Sequence, residues 1–282
     1  GTANIDSIDL EIGGQRIDKH YGQWMEIWTE LSCPVGKRAG KDSLNTAGTV
    51  PLEFFFCRNP GLALPLIALQ YHEVKLTFNL EAAAPDLKLY VDYIYLDTDE
   101  RRRFAQVQHN MLIDQLQQQD GSDGNTRLNF NHPCKELVWL GGRTESTLKL
   151  NGHERFSKRG LDYFQKVQPY QHHTNVPMNA DGTAVATVKG GASRADDEAV
   201  NVYSFALKPE EHQPSGTCNF SRIDNAQLDS NCSVVYAVNY NVLRIMSGMG
   251  KHLTAHNSKL PSWIHRPTMM NQQCNSMAAC AC

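Results

Sequence analysis

Two dipeptides, His72-Glu73 and His153-Glu154, begin as a helical zinc-hydrolase site begins, with an imidazole ligand followed by a carboxylate base. That chemistry needs a second histidine one helical turn further on, and the positions concerned hold Leu76 and Ser157, so neither pair closes on a metal. His172-His173 has the imidazole pairing of a metal-binding jelly roll of the cupin kind, but the nearest carboxylate downstream is Asp181, which favours two polar loop histidines. His265, Cys274, Cys280 and Cys282 are zinc-ligand types, yet gaps of 5 and 1 residues between the cysteines do not match paired ligand spacing. Gly248-Met249-Gly250 lacks the third glycine of a dinucleotide turn, and Ser247 stands outside a nucleophile-elbow frame. No phosphate-loop glycine-lysine motif occurs. No catalytic, cofactor or metal residue is therefore assigned. Asn219-Phe220-Ser221 and Asn231-Cys232-Ser233 fit the N-glycosylation acceptor pattern, so Asn219 and Asn231 are the modification candidates. Arg101, Arg102 and Arg103 form the densest basic run, but carboxylates at 97, 99 and 100 neutralise it locally. The expected role of the three arginines is to cap or pin a domain junction through bidentate pairs.

The elements that must carry these residues are mostly strands. Runs of alternating or continuous apolar residues at 5–12, 50–56, 71–80 and 88–96 predict strands, and Gly13-Gly14 after the first reads as a turn. In the 88–96 run the aromatics alternate imperfectly with Val91 and Ile94, which predicts a strand covered on both faces. Trp24, Ile27, Trp28 and Leu31 fall at helical spacing and predict a helix over 22–31. Asp97 with Glu100 three residues on is a capping box that starts another helix. Residues 111–119 fit neither helical nor strand period. Beyond the loop at 120–125, strands are expected at 126–130, 135–140, 146–150, 200–207, 216–223 and 233–245. The stretch 157–199 is too long for a mere connection and reads as a surface excursion. The expected core of this second half is Leu137, Trp139, Phe205, Phe220, Val235, Tyr240 and Leu243.

Composition narrows the function. The 282 residues are 41% hydrophobic, enough for a sizeable core, and Lys+Arg 27 against Asp+Glu 30 leaves a net charge of -3 with no basic half to neutralise phosphates. Direct nucleic-acid binding is not expected. No apolar run reaches the length of a transmembrane helix. The eight cysteines are isolated in apolar stretches, which predicts reduced, buried thiols.

One segment carries a resemblance. FFFCRNPGLALPLIALQYHEVKLTFNL over 54–80 resembles the signature of the major capsid proteins of nucleocytoplasmic large DNA viruses, the group that includes phycodnaviruses, iridoviruses and mimivirus relatives. Also similar are IGGQRIDKHYGQWMEIWTEL at 12–31, LDTDERRRFAQ at 96–106, NHPCKELVW at 131–139, VYSFALKPEEHQPSGTCNFSRIDNA at 202–226 and VVYAVNYNVLRIMSGMG at 234–250. The signature's Arg58-Asn59-Pro60-Gly61 is a turn sequence, and with Arg101, Arg102 and Arg103 it makes up the structural residues the resemblance singles out.

The resemblance implies an all-β double jelly roll of two antiparallel sandwiches with short helices, the first roll N-terminally truncated. The implied domains are residues 1–97 for the C-terminal part of the first roll, 98–110 for a helical linker, 111–250 for the second roll and 251–282 for an unmatched, weakly packed tail. It further implies a structural protein, not an enzyme, without cofactor. Its partners are itself as a homotrimer, neighbouring capsomers and minor capsid proteins, with no direct nucleic acid. Three copies form a pseudo-hexagonal capsomer of an icosahedral virion shell that is assembled in the host cytoplasm over an internal membrane. The chain alone is expected to aggregate or stay poorly ordered over residues 1–97. The alternatives are a glycan-binding jelly roll for host attachment, with 157–199 as contact surface, and a cupin-like metalloenzyme.

Overall fold

The computed structural model describes residues 1–82, 86–141, 145–177 and 199–246, together with the backbone of 254–255 and 279–281. The first elements are β1 (Ile5–Ile12), β2 (Gln15–Tyr21), α1 (Gly22–Ser32), α2 (Val35–Thr46), the single helical turn α3 (Phe55–Arg58) and β3 (Val74–Leu80). β4 (Asp92–Ile94), α4 (Thr98–Gln106), β5 (His109–Asp120), β6 (Asn125–Leu128), β7 (Pro133–Gly141), β8 (Thr147–Leu150) and β9 (His153–Glu154) follow. Last come α5 (Gln168–His172), β10 (Val200–Ser204), β11 (Cys218–Asn219), β12 (Ala226–Asp229), β13 (Cys232–Ile245), β14 (Thr254–Ala255) and β15 (Ala279–Ala281).

β1 and β2 form a hairpin because Gly13 and Gly14 take φ of 60° and 78°, the left-handed pair that matches strand twist in a two-residue turn. β3 pairs along the other edge of β1, giving the sheet order β2-β1-β3. Alternation sends Ile8, Leu10 and Ile12 to one face, where Phe54, Phe55, Phe56, Leu62, Leu64 and Leu69 of the signature segment cover them. Ile113 of β5 and Leu243 and Ile245 of β13 complete that cluster, so the first half closes its core with residues lent by the second. Residues 1–82 thus pack as a layer whose core is completed by the second half.

The second half is a sandwich. β10-β7-β13, with β5 on the far edge of β13 and β11 on β7, faces the sheet β6-β12-β8-β9. Between them lie Leu128, Leu137, Trp139, Leu148, Tyr203, Phe220, Leu228, Val235 and Ala237. The opposite face of β7, β10 and β13 presents Val138, Leu140, Val200, Val202, Val234 and Tyr236 to Trp24, Ile27, Trp28 and Leu31 of α1. β7 and β13 are thereby buried on both faces, which explains why their sequences are nearly continuous in apolar residues instead of alternating. Of the expected core residues all are buried except Phe205, which packs half-buried against the cluster.

Several expected elements differ. Residues 50–56 form no strand: Phe54 caps α3 and Phe55 and Phe56 lie in its single turn, all three buried, since a short apolar run fits either period. The strand expected at 71–80 begins at Val74, and 216–223 yields only β11 before a 3-10 turn at Phe220–Arg222. Residues 111–119 resolve as strand, paired with β13 over twelve positions of β5. α2 and the helical stretch from Tyr163 to α5 are helical elements beyond those the sequence pattern predicts. The 88–96 strand shrinks to β4, and its expected two-sided cover is absent: Leu87, Leu89, Tyr90, Tyr93, Ile94 and Tyr95 are all exposed. Most of the tail, with Ser247, Gly248-Met249-Gly250, His265, Cys274 and Cys282, lies outside the described residues. Its two described stretches pair as strands, β14 with β13 and β15 with β4.

Candidate functional site

The turn after α3 is built from short-range chemistry. Asn59 Oδ1 accepts from the Gly61 amide at 2.9 Å, and Pro60 supplies the fixed φ of the first helical position in Pro60–Leu62. This holds Arg58, the last residue of α3, pointing at the second sheet. Its guanidinium lies 4.7 Å from the centre of the Trp28 ring and 3.1 Å from Asp114 Oδ2 on β5. Lys135 of β7 approaches the same oxygen at 3.2 Å with its side chain fully buried, and its ammonium sits 4.8 Å above the Tyr240 ring. Burial lowers the Lys135 pKa, while Asp114 and Glu136 oppose that. Burial likewise pushes the Tyr240 hydroxyl up to about 12, with Asp114 adding to it. One carboxylate thus ties α3, β5 and β7 across the two halves. Among the described residues, Arg58 is the arginine whose ion pair crosses this junction.

A second buried charge group lies beyond β7. His173 Nε2 is 2.9 Å from Glu136 Oε2, and its Nδ1 is 2.9 Å from Glu210 Oε1. Glu210 also accepts from the Thr174 amide at 2.9 Å and from the Thr174 hydroxyl. Burial alone lowers an imidazole's pKa, but the two carboxylates outweigh it and raise His173 to about 9. Burial pushes the Glu210 carboxyl up, and the hydrogen bonds from His173 and Thr174 turn the balance so that it ends lower than usual. His173 is therefore an imidazolium bridging two carboxylates that each stand 37 residues from it in sequence. Neither carboxylate follows the histidines at ligand spacing, and only the folded sheet brings them together.

The remaining sequence-predicted residues are spread over the surface. Arg101, Arg102 and Arg103 sit on α4, whose capping box between Asp97 and Glu100 is present; Arg102 reaches only Asp99 on its own helix, at 3.7 Å in an exposed pair. Among the described residues no ion pair links this run to another element, because α4 buries none of its residues. Asn219 caps the 3-10 turn by accepting from the Ser221 amide at 3.0 Å, and Asn231 is exposed before β13. His153 lies in exposed β9. On the outside, Tyr90 is 82% and Tyr95 73% exposed, marking the β4 segment as the most conspicuous apolar surface of the first half.

A three-stranded sheet and a two-sheet sandwich with interlocked cores and an ion pair across their junction place the fold in the double jelly-roll class. The chain is 50% identical to the major capsid protein of Pyramimonas orientalis virus, over 89% of this chain and 76% of the relative. That alignment runs over 303 positions, more than the 282 residues of the chain, so the relative carries residues at internal positions where this chain has none. Among solved structures, a chain of the PBCV-1 virus capsid matches at a TM-score of 0.73 and 35% identity, covering 91% of this chain and 84% of that one. The Faustovirus major capsid protein shares the fold at a TM-score of 0.60 and 10% identity, over 87% and 72% of the two chains. Residues 1–85 match the model of the major capsid protein N-terminus, and 141–251 that of the large eukaryotic DNA virus major capsid protein. The chain belongs to the family of major capsid proteins of large eukaryotic DNA viruses, and its role is that of a structural capsid component.

Proposed function

We propose that this chain builds the shell as a homotrimer, three copies closing a pseudo-hexagonal capsomer that tiles an icosahedral capsid beside neighbouring capsomers and minor capsid proteins. The observation that carries this is the match to a chain of the PBCV-1 virus capsid over 91% of this one. A closed threefold ring of this kind uses one heterologous contact three times, with each subunit offering surface from both of its halves. The Leu87–Tyr95 face supplies apolar area of the type such obligate contacts bury. The protein acts by shape and not by catalysis, assembles in the host cytoplasm and lines an internal membrane without crossing it; no helix among the described residues is long and apolar enough to do so.

The glycan-binding alternative rests on the 157–199 excursion. Its described part places Tyr170 on the surface and Tyr163 against Phe164, and residues 178–198 lie outside the described set. No observation favours it. Negative-stain electron microscopy of the purified protein tests the proposal: threefold particles with six lobes are expected, and single two-lobed particles at all concentrations would overturn it.

A further inference from the structure

β11 is two residues long, yet its register on β7 sets Cys218 directly opposite Cys134. Neither cysteine is in a disulfide. Residues opposed on antiparallel strands hold their Cα atoms about 4.5–5.5 Å apart, inside the span of about 4.4–6.8 Å that a disulfide accepts. The two side chains share a face: Cys134 is fully buried in the sandwich core, and half-buried Cys218 packs against the same cluster. The other buried core thiol of this half, Cys232, lies opposite Gly141 at the far end of β7.

We propose that Cys134 and Cys218 are a cross-strand dithiol that closes to an intrachain disulfide when it meets a low-molecular-weight disulfide oxidant, stapling β7 to β11. Cys218 is the more accessible thiol and reacts first. Its Sγ gives its proton to solvent and attacks one sulfur of the oxidant, whose S–S bond breaks and releases one thiolate that takes up a proton. Cys134 Sγ then loses its proton, attacks the Cys218 sulfur of the mixed disulfide and expels the second thiolate, which is protonated in turn. Two electrons pass from the pair to the oxidant, one S–S bond is exchanged for another, and two small thiols leave.

The second step is the slow one. The Cys134 thiol donates to the Glu136 carbonyl at 3.1 Å, a bond that must be given up, and burial with the Glu136 carboxylate holds its pKa well above the ordinary value. The pair therefore stays reduced in a reducing cytosol and closes in the oxidising medium outside a cell, where a staple across a long loop stabilises most.

The test is to incubate the native full chain with oxidised glutathione, alkylate, digest without reduction and map the peptides by mass spectrometry. A linked Cys134–Cys218 peptide pair lighter by two hydrogens is expected, with a rise in unfolding temperature on the order of 10 °C over the dithiothreitol-treated protein. Cys218→Ser removes both effects, whereas Cys134→Ala leaves Cys218 halted as the glutathione adduct. If the wild-type chain keeps both thiols alkylatable, stops at the adduct, or links either cysteine to any other, the proposal is wrong.

Discussion

At the scale of single residues, the most exacting arrangement is the imidazolium of His173 between Glu136 and Glu210. Because its pKa in the fold, about 9, lies above the ordinary 6.5, the stability it contributes is complete below pH 6.5 and is lost as pH climbs through 9. Glu210 works in the other direction: its lowered pKa gives stability that is present above the ordinary carboxylate value and disappears as pH falls through the lowered one. Denaturant unfolding at about pH 6 and about pH 10 is expected to differ by on the order of 3 kcal/mol for this group. His173→Gln should be destabilised by a similar amount at about pH 6, through the unpaired Glu136 carboxylate, and should show a flattened alkaline limb. An unchanged alkaline limb in the variant would mean that His173 is neutral in the fold. None of this was legible in the sequence, where His172-His173 offered only a missing downstream ligand. Its partners come from β7 and from a loop after β10, and no local spacing encodes that meeting.

At the scale of elements, what could be read were features whose cause is local. The Gly13-Gly14 turn, the helical spacing of α1's apolar residues and the Asp97–Glu100 capping box each depend on neighbours within a few positions, and each is present. The phenylalanine run at 54–56 reads as part of a strand and is not one, since its burial against β1 decides its conformation and its period does not. Charge density draws attention to 101–103, while the described ion pair across the halves is made by Arg58, placed by a turn of the signature itself. α1 is the element that welds the halves, and its entry is sterically tight. A Cβ on Gly22 would lie 2.1 Å from the Ile5 carbonyl oxygen and 2.5 Å from that of Thr2, both backbone atoms that cannot swing away. Gly22→Ala should therefore lift α1 from the Val138–Tyr236 face and cost several kcal/mol, on the order of a large-to-small core change at Trp24 or Trp28. Thermal unfolding checks it, and a variant as stable as the parent would show that α1 can be shifted without loss.

At the scale of the whole molecule, the two halves are not independent bodies joined by a linker. The first borrows Ile113, Leu243 and Ile245 from the second, and the second covers its outer sheet face with the first half's α1. What is left over is the Leu87–Tyr95 segment, where six large apolar side chains stand exposed. An isolated chain that leaves such a surface in water associates. The capsid reading makes this surface a contact between copies, so multi-angle light scattering across a concentration series tests the central claim most directly. Species that are multiples of the 31.6 kDa chain are expected, with three copies as the smallest closed one, shifted toward the monomer by Tyr90→Asp with Tyr95→Asp. A clean, monodisperse monomer at every concentration, unaffected by those substitutions, would contradict it.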